Sequence, residues 1–296
     1  MSGPLYGAVE AGGTKFITMV GSGPDGIAEQ ARFDTATPEV VIPQVVDFFR
    51  QAQAKHGRLH GVGIGSFGPV DLDLKSSTYG YITATPKPGW SNTDLVGPVR
   101  EALDVPVAFD TDVNAAAVGE HRWGAAKGLD TFVYMTIGTG IGGGGMVGGQ
   151  MLHGLVHPEM GHMRLPRNPE VDPFTGACPF HGDCLEGLAS GPAIEKRWGT
   201  SAKLLDADHD AWRLEADYLS LAVVNLVTTL SPQRVILGGG VMHQSFLLPM
   251  IRERVLKLLN DYVQSPAILN DIDSYVVTPG LGDKAGILGS LALALD

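Results

Sequence analysis

Positive charge is scarce in this sequence: 21 lysines and arginines stand against 32 aspartates and glutamates, a formal net charge of −11. No basic field surrounds such a chain, which argues against nucleic acid or an acidic membrane surface as a partner. Long apolar runs are missing too. The strongest uncharged stretch, residues 218–233, contains Asn225, several hydroxyls and Pro232 and is too short for a hydrocarbon core of about 30 Å, so it reads as a buried helix. The N-terminus, MSGPLYGAVEAGGTKF, lacks a basic stretch followed by an apolar one, so nothing marks the chain for secretion and a cytoplasmic address is expected. Cysteine is almost absent, with two in 296 residues, which excludes a disulfide framework.

Those two cysteines nevertheless fall beside two histidines. His162, Cys178, His181 and Cys184 form H-x15-C-x2-H-x2-C, a spacing that can close a tetrahedron around one zinc ion. With all four positions filled by protein, such a zinc is structural; a Cys178–Cys184 disulfide is the alternative.

With 44% hydrophobic residues the chain can bury a substantial core, and its length suggests two lobes. Residues 6–9 and 16–20 are apolar and β-branched around the glycine turn 10–15, which reads as a hairpin. An amphipathic helix over 40–54, a strand over 59–64, a helix over 94–103, a strand over 105–109 and an alanine-rich helix over 113–123 follow. That alternation predicts an α/β sheet. Strand 131–137, the glycines of 138–145 and a strand over 146–151 repeat the opening layout, and a third strand at 234–240 also ends in glycines. The repeat implies two related lobes facing a cleft: residues 1–118, joined by a C-terminal helix at 284–296, and residues 119–283, which carry the zinc knuckle.

Gly12, Gly13, Thr14 and Lys15 bring backbone amides, a hydroxyl and an ammonium together, as a polyphosphate requires, although turn chemistry alone also places glycines at a hairpin tip. The run Gly138–Gly145 contains G-x-G-x-x-G, but a dinucleotide unit needs a helix after the glycines, and here a strand is expected. Asp110, Thr111 and Asp112 stand where a strand gives way to a helix. The plain reading is an N-cap; the phosphate-type turns add the need for a carboxylate that accepts a proton from an attacking hydroxyl. Glu159 and Glu186 flank the zinc motif, where a metal would fix their positions.

Together these residues resemble the ROK family of sugar kinases and related repressors, in particular its bacterial fructokinase branch. The likeness covers essentially the whole chain. It rests on EAGGTK at 10–15, GIGSFGPVD at 63–71, TATPKPGW at 83–90, DTDVNAA at 110–116, TIGTGIGG at 136–143, HPEMGH at 157–162, the knuckle through Ser190, and LGGGVM at 237–242.

The resemblance implies two actin-like, ribonuclease-H-like ATPase domains with ATP and sugar in the cleft between them. It makes Asp112 the general base of phosphoryl transfer to a sugar's primary hydroxyl, assisted by Mg²⁺. It makes Gly68, Thr111, Glu159, His162 and Glu186 sugar-binding residues, with His162 also a zinc ligand. Gly12, Gly13, Thr14, Lys15, Gly138, Thr139 and Gly140 would hold phosphates, while Gly191, Pro192, Gly238, Gly239, Gly240, Val241 and Met242 would line the nucleoside site. A homodimer is expected, with sugar and ATP as the small-molecule partners.

Two positions depart from the common family pattern. Thr111 stands where many members have asparagine, and His181 replaces one thiolate of the knuckle. Both variants look like the fructokinase branch, and by that resemblance favour fructose over glucose. A kinase for glucose, mannose or an amino sugar, differing only in sugar contacts around Thr111, Glu159 and Glu186, is the alternative. A sugar-responsive repressor of this family would carry a helix-turn-helix before the first glycine turn, and Glu10 already belongs to that turn.

Overall fold

The computed structural model describes residues 3–295; Met1, Ser2 and Asp296, which the expected lobe limits include, lie outside them. The chain forms two compact units. The first comprises Met1–Lys127, Leu152–Pro158 and Gly280–Asp296, and the second Gly128–Met151 and Glu159–Pro279.

In the first unit β1 (Tyr6–Ala11), β2 (Lys15–Gly21), β3 (Ile27–Asp34), β4 (Val62–Ser66) and β7 (Val107–Thr111) make one sheet in the order β3-β2-β1-β4-β7. β2 pairs antiparallel with both β1 and β3, and β1, β4 and β7 run parallel. Alternation along the strands gives the sheet two apolar faces. Val9, Ala11, Phe16 and Val20 join the core under α1 (Pro38–His56) and α2 (Val96–Leu103). Ala8, Ile17 and Met19 pack instead on Ile287, Leu288 and Leu291 of α10 (Ala285–Leu293). A small antiparallel pair, β5 (Tyr81–Ile82) and β6 (Thr93–Asp94), lies in the connection between β4 and α2.

The unit continues past residue 118 because α3 (Asp112–Trp123) is unbroken and packs along α10. Gly119 and Gly289 make that approach possible: a Cβ on Gly119 would lie 2.8 Å from the Gly289 backbone. Any side chain there would force the helices apart.

In the second unit β8 (Phe132–Ile137), β9 (Ile141–Val147), β10 (Gln150–Met151), β11 (Val235–Gly238) and β12 (Val276–Val277) form a sheet in the order β10-β9-β8-β11-β12. Its pattern of directions is that of the first sheet. Helices α4 (Leu185–Ala189), α5 (Gly191–Trp198), α6 (Asp210–Leu230), α7 (Leu247–Leu259), α8 (Pro266–Leu269) and α9 (Ile272–Tyr275) complete the unit. This is the repeat visible in the sequence, and the two units have the expected α/β, actin-like architecture.

One local expectation needs correction. The glycine turn covers only Gly138–Gly140, and the following glycines are the strand β9 itself, paired with β8 from Gly142↔Thr136 to Gly145↔Val133. Close packing accounts for them: a Cβ at Gly143 would meet the Met160 side chain at 2.7 Å. The apolar stretch 218–233 falls mostly within α6, and none of the described helices is long and apolar enough to cross a membrane.

Candidate functional site

In the first unit the parallel strands end in register. Glu10, Gly65 and Asp110 are paired across β1, β4 and β7, and one step further Ala11, Ser66 and Thr111 are paired. The segments leaving those ends are therefore neighbours: the turn Gly12–Lys15, the loop at Gly68 and the start of α3 with Asp112. The carboxyl ends of parallel strands are where α/β sheets place ligands.

The turn is closed by Gly12 N–H donating to the Lys15 carbonyl at 2.9 Å. Glu10, just before it, has a buried Oε2 without a partner among the described residues. Burial raises its carboxyl above the usual range, against the opposing influence of Lys15.

Thr111 is the N-cap of α3, its Oγ1 accepting from Asn114 N–H at 3.1 Å. Asp112 opens the first turn, where the helix dipole favours an anion, and its Oδ1 accepts from Val113 N–H at 2.8 Å. Below them Asp110, buried, receives three hydrogen bonds: from Thr111 N–H at 2.7 Å, Asn114 Nδ2 at 2.8 Å and His153 Nε2 at 2.8 Å. The bond to Asp110 raises the His153 pKa. His157, from the same loop, accepts Val70 N–H through Nε2 at 3.0 Å, and burial lowers its pKa. Gly68 lies against that ring, since a Cβ there would meet His157 Cε1 at 3.3 Å.

In the second unit the four expected zinc ligands converge. The donor atoms of His162, Cys178, His181 and Cys184 all lie within 4.8 Å of one another. His162 Nδ1 is 3.4 Å from Cys184 Sγ and 3.9 Å from Cys178 Sγ, and Cys178 Sγ is 3.6 Å from His181 Nδ1. A zinc tetrahedron with ordinary bond lengths has N···S edges of about 3.6 Å, so the donor set fits that ion. Both thiols are free and buried, so the disulfide alternative falls away. Burial lifts the Cys184 thiol to about 11 and lowers the His162 pKa.

Local structure builds this cluster. His162 ends the short 3-10 turn Met160–His162, Cys184 is the N-cap of α4, and Cys178 and Gly182 exchange two backbone hydrogen bonds that hold His181 at the tip. Glu186, in the first turn of α4, accepts Ile141 N–H at 2.9 Å and is thereby tied to the Gly138–Gly140 turn. Glu159 lies 3.9 Å from His162 Nε2; burial, then the Glu186 charge, push its carboxyl up to about 7.

The nucleotide candidates of this unit form a second group at strand ends. Gly238 of β11 pairs with Thr136 of β8, so Gly239 and Gly240 leave the sheet beside Gly138 and Thr139. Gly191 N–H donates to the Gly138 carbonyl at 2.8 Å, and Pro192 stands in the first turn of α5. Val241 and Met242 have side chains buried in the core, which leaves their backbone and the two preceding glycines as the usable surface. Sequence reasoning gave no role to Glu10, Lys87, Asp110, Asn114 or His153. Glu10, Lys87, Asp110 and Asn114 lie inside motifs that carried the resemblance; no sequence signal marked His153.

The sequence profile of the ROK family matches residues 6–296. A relative from Bacillus subtilis (strain 168) is 48% identical, covering 98% of this chain and 95% of its own. The fructokinase of Zymomonas mobilis subsp. mobilis is 45% identical, covering 98% of this chain and 96% of its own. Among solved structures, the ROK hexokinase from Thermus thermophilus superimposes with a TM-score of 0.79 at 29% identity, covering 98% of both chains.

Proposed function

Because the chain belongs to the ROK family, we propose that it is an ATP-dependent fructokinase that phosphorylates the primary 6-hydroxyl of fructose. The observation that carries this reading is the shared strand edge of the first unit, where Asp112 and the phosphate-type turn Gly12–Lys15 emerge side by side. It joins the two groups that phosphoryl transfer needs, an anion cradle and a proton acceptor.

In the proposed reaction the 6-oxygen of fructose bonds to the γ-phosphorus while the bond from that phosphorus to the β,γ-bridging oxygen breaks. ADP leaves with the electron pair, and the hydroxyl proton passes to the carboxylate of Asp112. In the first unit the turn amides and Lys15 are suited to receive phosphate charge, and in the second the turn Gly138, Thr139 and Gly140 is suited to the same task. Gly191, Pro192 and Gly238 to Met242 hold the nucleoside. Glu159, Glu186, His162, Thr111 and Gly68 hold sugar hydroxyls; Thr111 uses its oxygen to cap α3 and keeps its proton for a substrate oxygen.

The unpartnered Oε2 of Glu10, a hard oxygen donor, suits Mg²⁺ and its waters, and Glu10 would hold that ion from the phosphate turn. Bound there, Mg²⁺ offsets phosphate charge. His162, Cys178, His181 and Cys184 would hold zinc, which cross-links the segment between Glu159 and Glu186 and leaves no open position for catalysis. We also propose a homodimer, checked by sedimentation.

The test is ADP release with Mg²⁺ and ATP against fructose, glucose, mannose and N-acetylated hexosamines. Fructose should dominate. Preference for another hexose would overturn the fructose assignment, and no turnover with any sugar would overturn the kinase reading.

A further inference from the structure

Lys87 reaches across the first unit to the phosphate turn, its Nζ donating to the Gly13 carbonyl at 2.7 Å. We infer that Lys87 is a positioning residue that locks the Gly13–Thr14 peptide with its N–H outward, toward the phosphates of the nucleotide. The inference rests on the kinase reading above.

The turn is held by its oxygens. Thr35 Oγ1 donates to the Gly12 carbonyl at 2.7 Å, Thr35 N–H donates to the Thr14 carbonyl at 3.1 Å, and Lys87 takes the one between them. The amides of Gly13 and Thr14 have no partner among the described residues. A Cβ placed on Gly13 would meet nothing within 4 Å, so the space over the turn is open.

In a trans peptide the C=O and N–H point in opposite directions. Fixing the Gly13 oxygen on Lys87 therefore aims the Thr14 N–H the other way. A peptide that follows glycine turns over at low steric cost, and the flipped form would present an oxygen to the phosphates. The ammonium opposes that flip with a charge-assisted bond and polarises the peptide, which strengthens Thr14 N–H as a donor.

The lysine is itself carried on a braced loop. Trp90, fully buried, stacks on Phe16 at 5.2 Å, meets Phe67 edge-on and donates through Nε1 to the Ala36 carbonyl at 2.8 Å. Phe16 directly follows Lys15, so one contact fixes the loop against the turn. Lys87 O accepts Trp90 N–H, and Thr85 Oγ1 accepts Lys87 N–H.

The experiment compares Lys87→Met and Lys87→Arg with the wild type for calorimetric binding of MgATP, ADP and adenosine, for kcat and KM, and for thermal midpoint. Lys87→Met should weaken MgATP and ADP binding about tenfold, with adenosine affinity, the fructose KM and the midpoint unchanged, and Lys87→Arg should restore it. Unchanged MgATP affinity in Lys87→Met would overturn the inference. So would equal loss of ATP and adenosine binding with a lowered midpoint, which marks a merely structural lysine. An inactive wild type would instead refute the kinase reading, and the binding series decides the role of Lys87 separately.

Discussion

Replacing Cys184 by serine removes one donor of the four-residue cluster, and its cost can be worked from the segment that the cluster closes. Between His162 and Cys178 there is no helix and no sheet strand. The segment has braces of its own: Arg197 pairs with Asp172 through Nε at 3.2 Å and Nη2 at 3.1 Å, and Arg164 pairs with Asp183. Loss of the proposed metal should therefore loosen this segment and leave the sheet of the second unit intact. A cross-link that closes a loop of about 15 residues stabilises by about 3 kcal/mol through the unfolded chain, and a metal bound only by the folded state acts in the same direction. For a unit of this size 1 kcal/mol moves the midpoint by about 2–4 °C, so the expected drop is about 6–12 °C. Elemental analysis of purified protein should find about one zinc per chain. Thermal unfolding should show the drop in Cys184→Ser and in wild type treated with a chelator, and added zinc should reverse only the second. Wild type that purifies without zinc, with a midpoint that chelator leaves unmoved and that Cys184→Ser shares, would refute the reasoning.

Three further outcomes are expected. Asp112→Asn should lower kcat by about 10²–10⁴-fold with MgATP affinity intact, because only proton acceptance is lost; steady-state kinetics with calorimetric binding checks this. Glu120 is fully buried and accepts N–H groups from Ala125, Gly280 and Leu281 at 2.6, 2.9 and 2.9 Å, so Glu120→Gln, which sets an amide against some of those donors, should destabilise by about 2–4 kcal/mol in urea unfolding. The His153 pKa is raised in the folded state, so its bond to Asp110 stabilises fully below the unfolded pKa near 6.5 and is lost as pH rises through the higher folded value. His153→Gln should therefore be less stable than wild type near pH 5 and match it in the alkaline range, with a gap of under about 1 kcal/mol because the pair is partly solvated. Equal gaps at both ends of a pH series of unfolding curves would contradict this.

Much of the fold was legible because its signals are local. The hairpin around Gly12 and Gly13, the amphipathic helix ending at Gly57 and the alternation of strand and helix need only neighbours within a few residues. The glycines of β9 were misread for the complementary reason. A strand without side chains has no apolar periodicity, and what makes glycine necessary at Gly143 is Met160, packed against it from another segment. The strand-to-helix turn at Asp112 also differs from its sequence reading by register: β7 continues to Thr111, so Thr111 is both the strand end and the helix cap.

What the sequence alone determined was composition of the site. Spacing announced the cluster of His162, Cys178, His181 and Cys184, whose tight C-x2-H-x2-C half is nearly prearranged by chain connectivity, and motif likeness pointed to the family, with Asp112 and the glycine turns as its candidate site. What only the tertiary structure decided was partnership over distance. Lys87 and Gly13 are 74 residues apart, His153 and Asp110 are 43 apart, and Glu120 meets Gly280 across 160. No local pattern encodes such pairs, because hydrogen-bond partners across a fold are set by strand register and helix packing, which exist only once the apolar faces are buried.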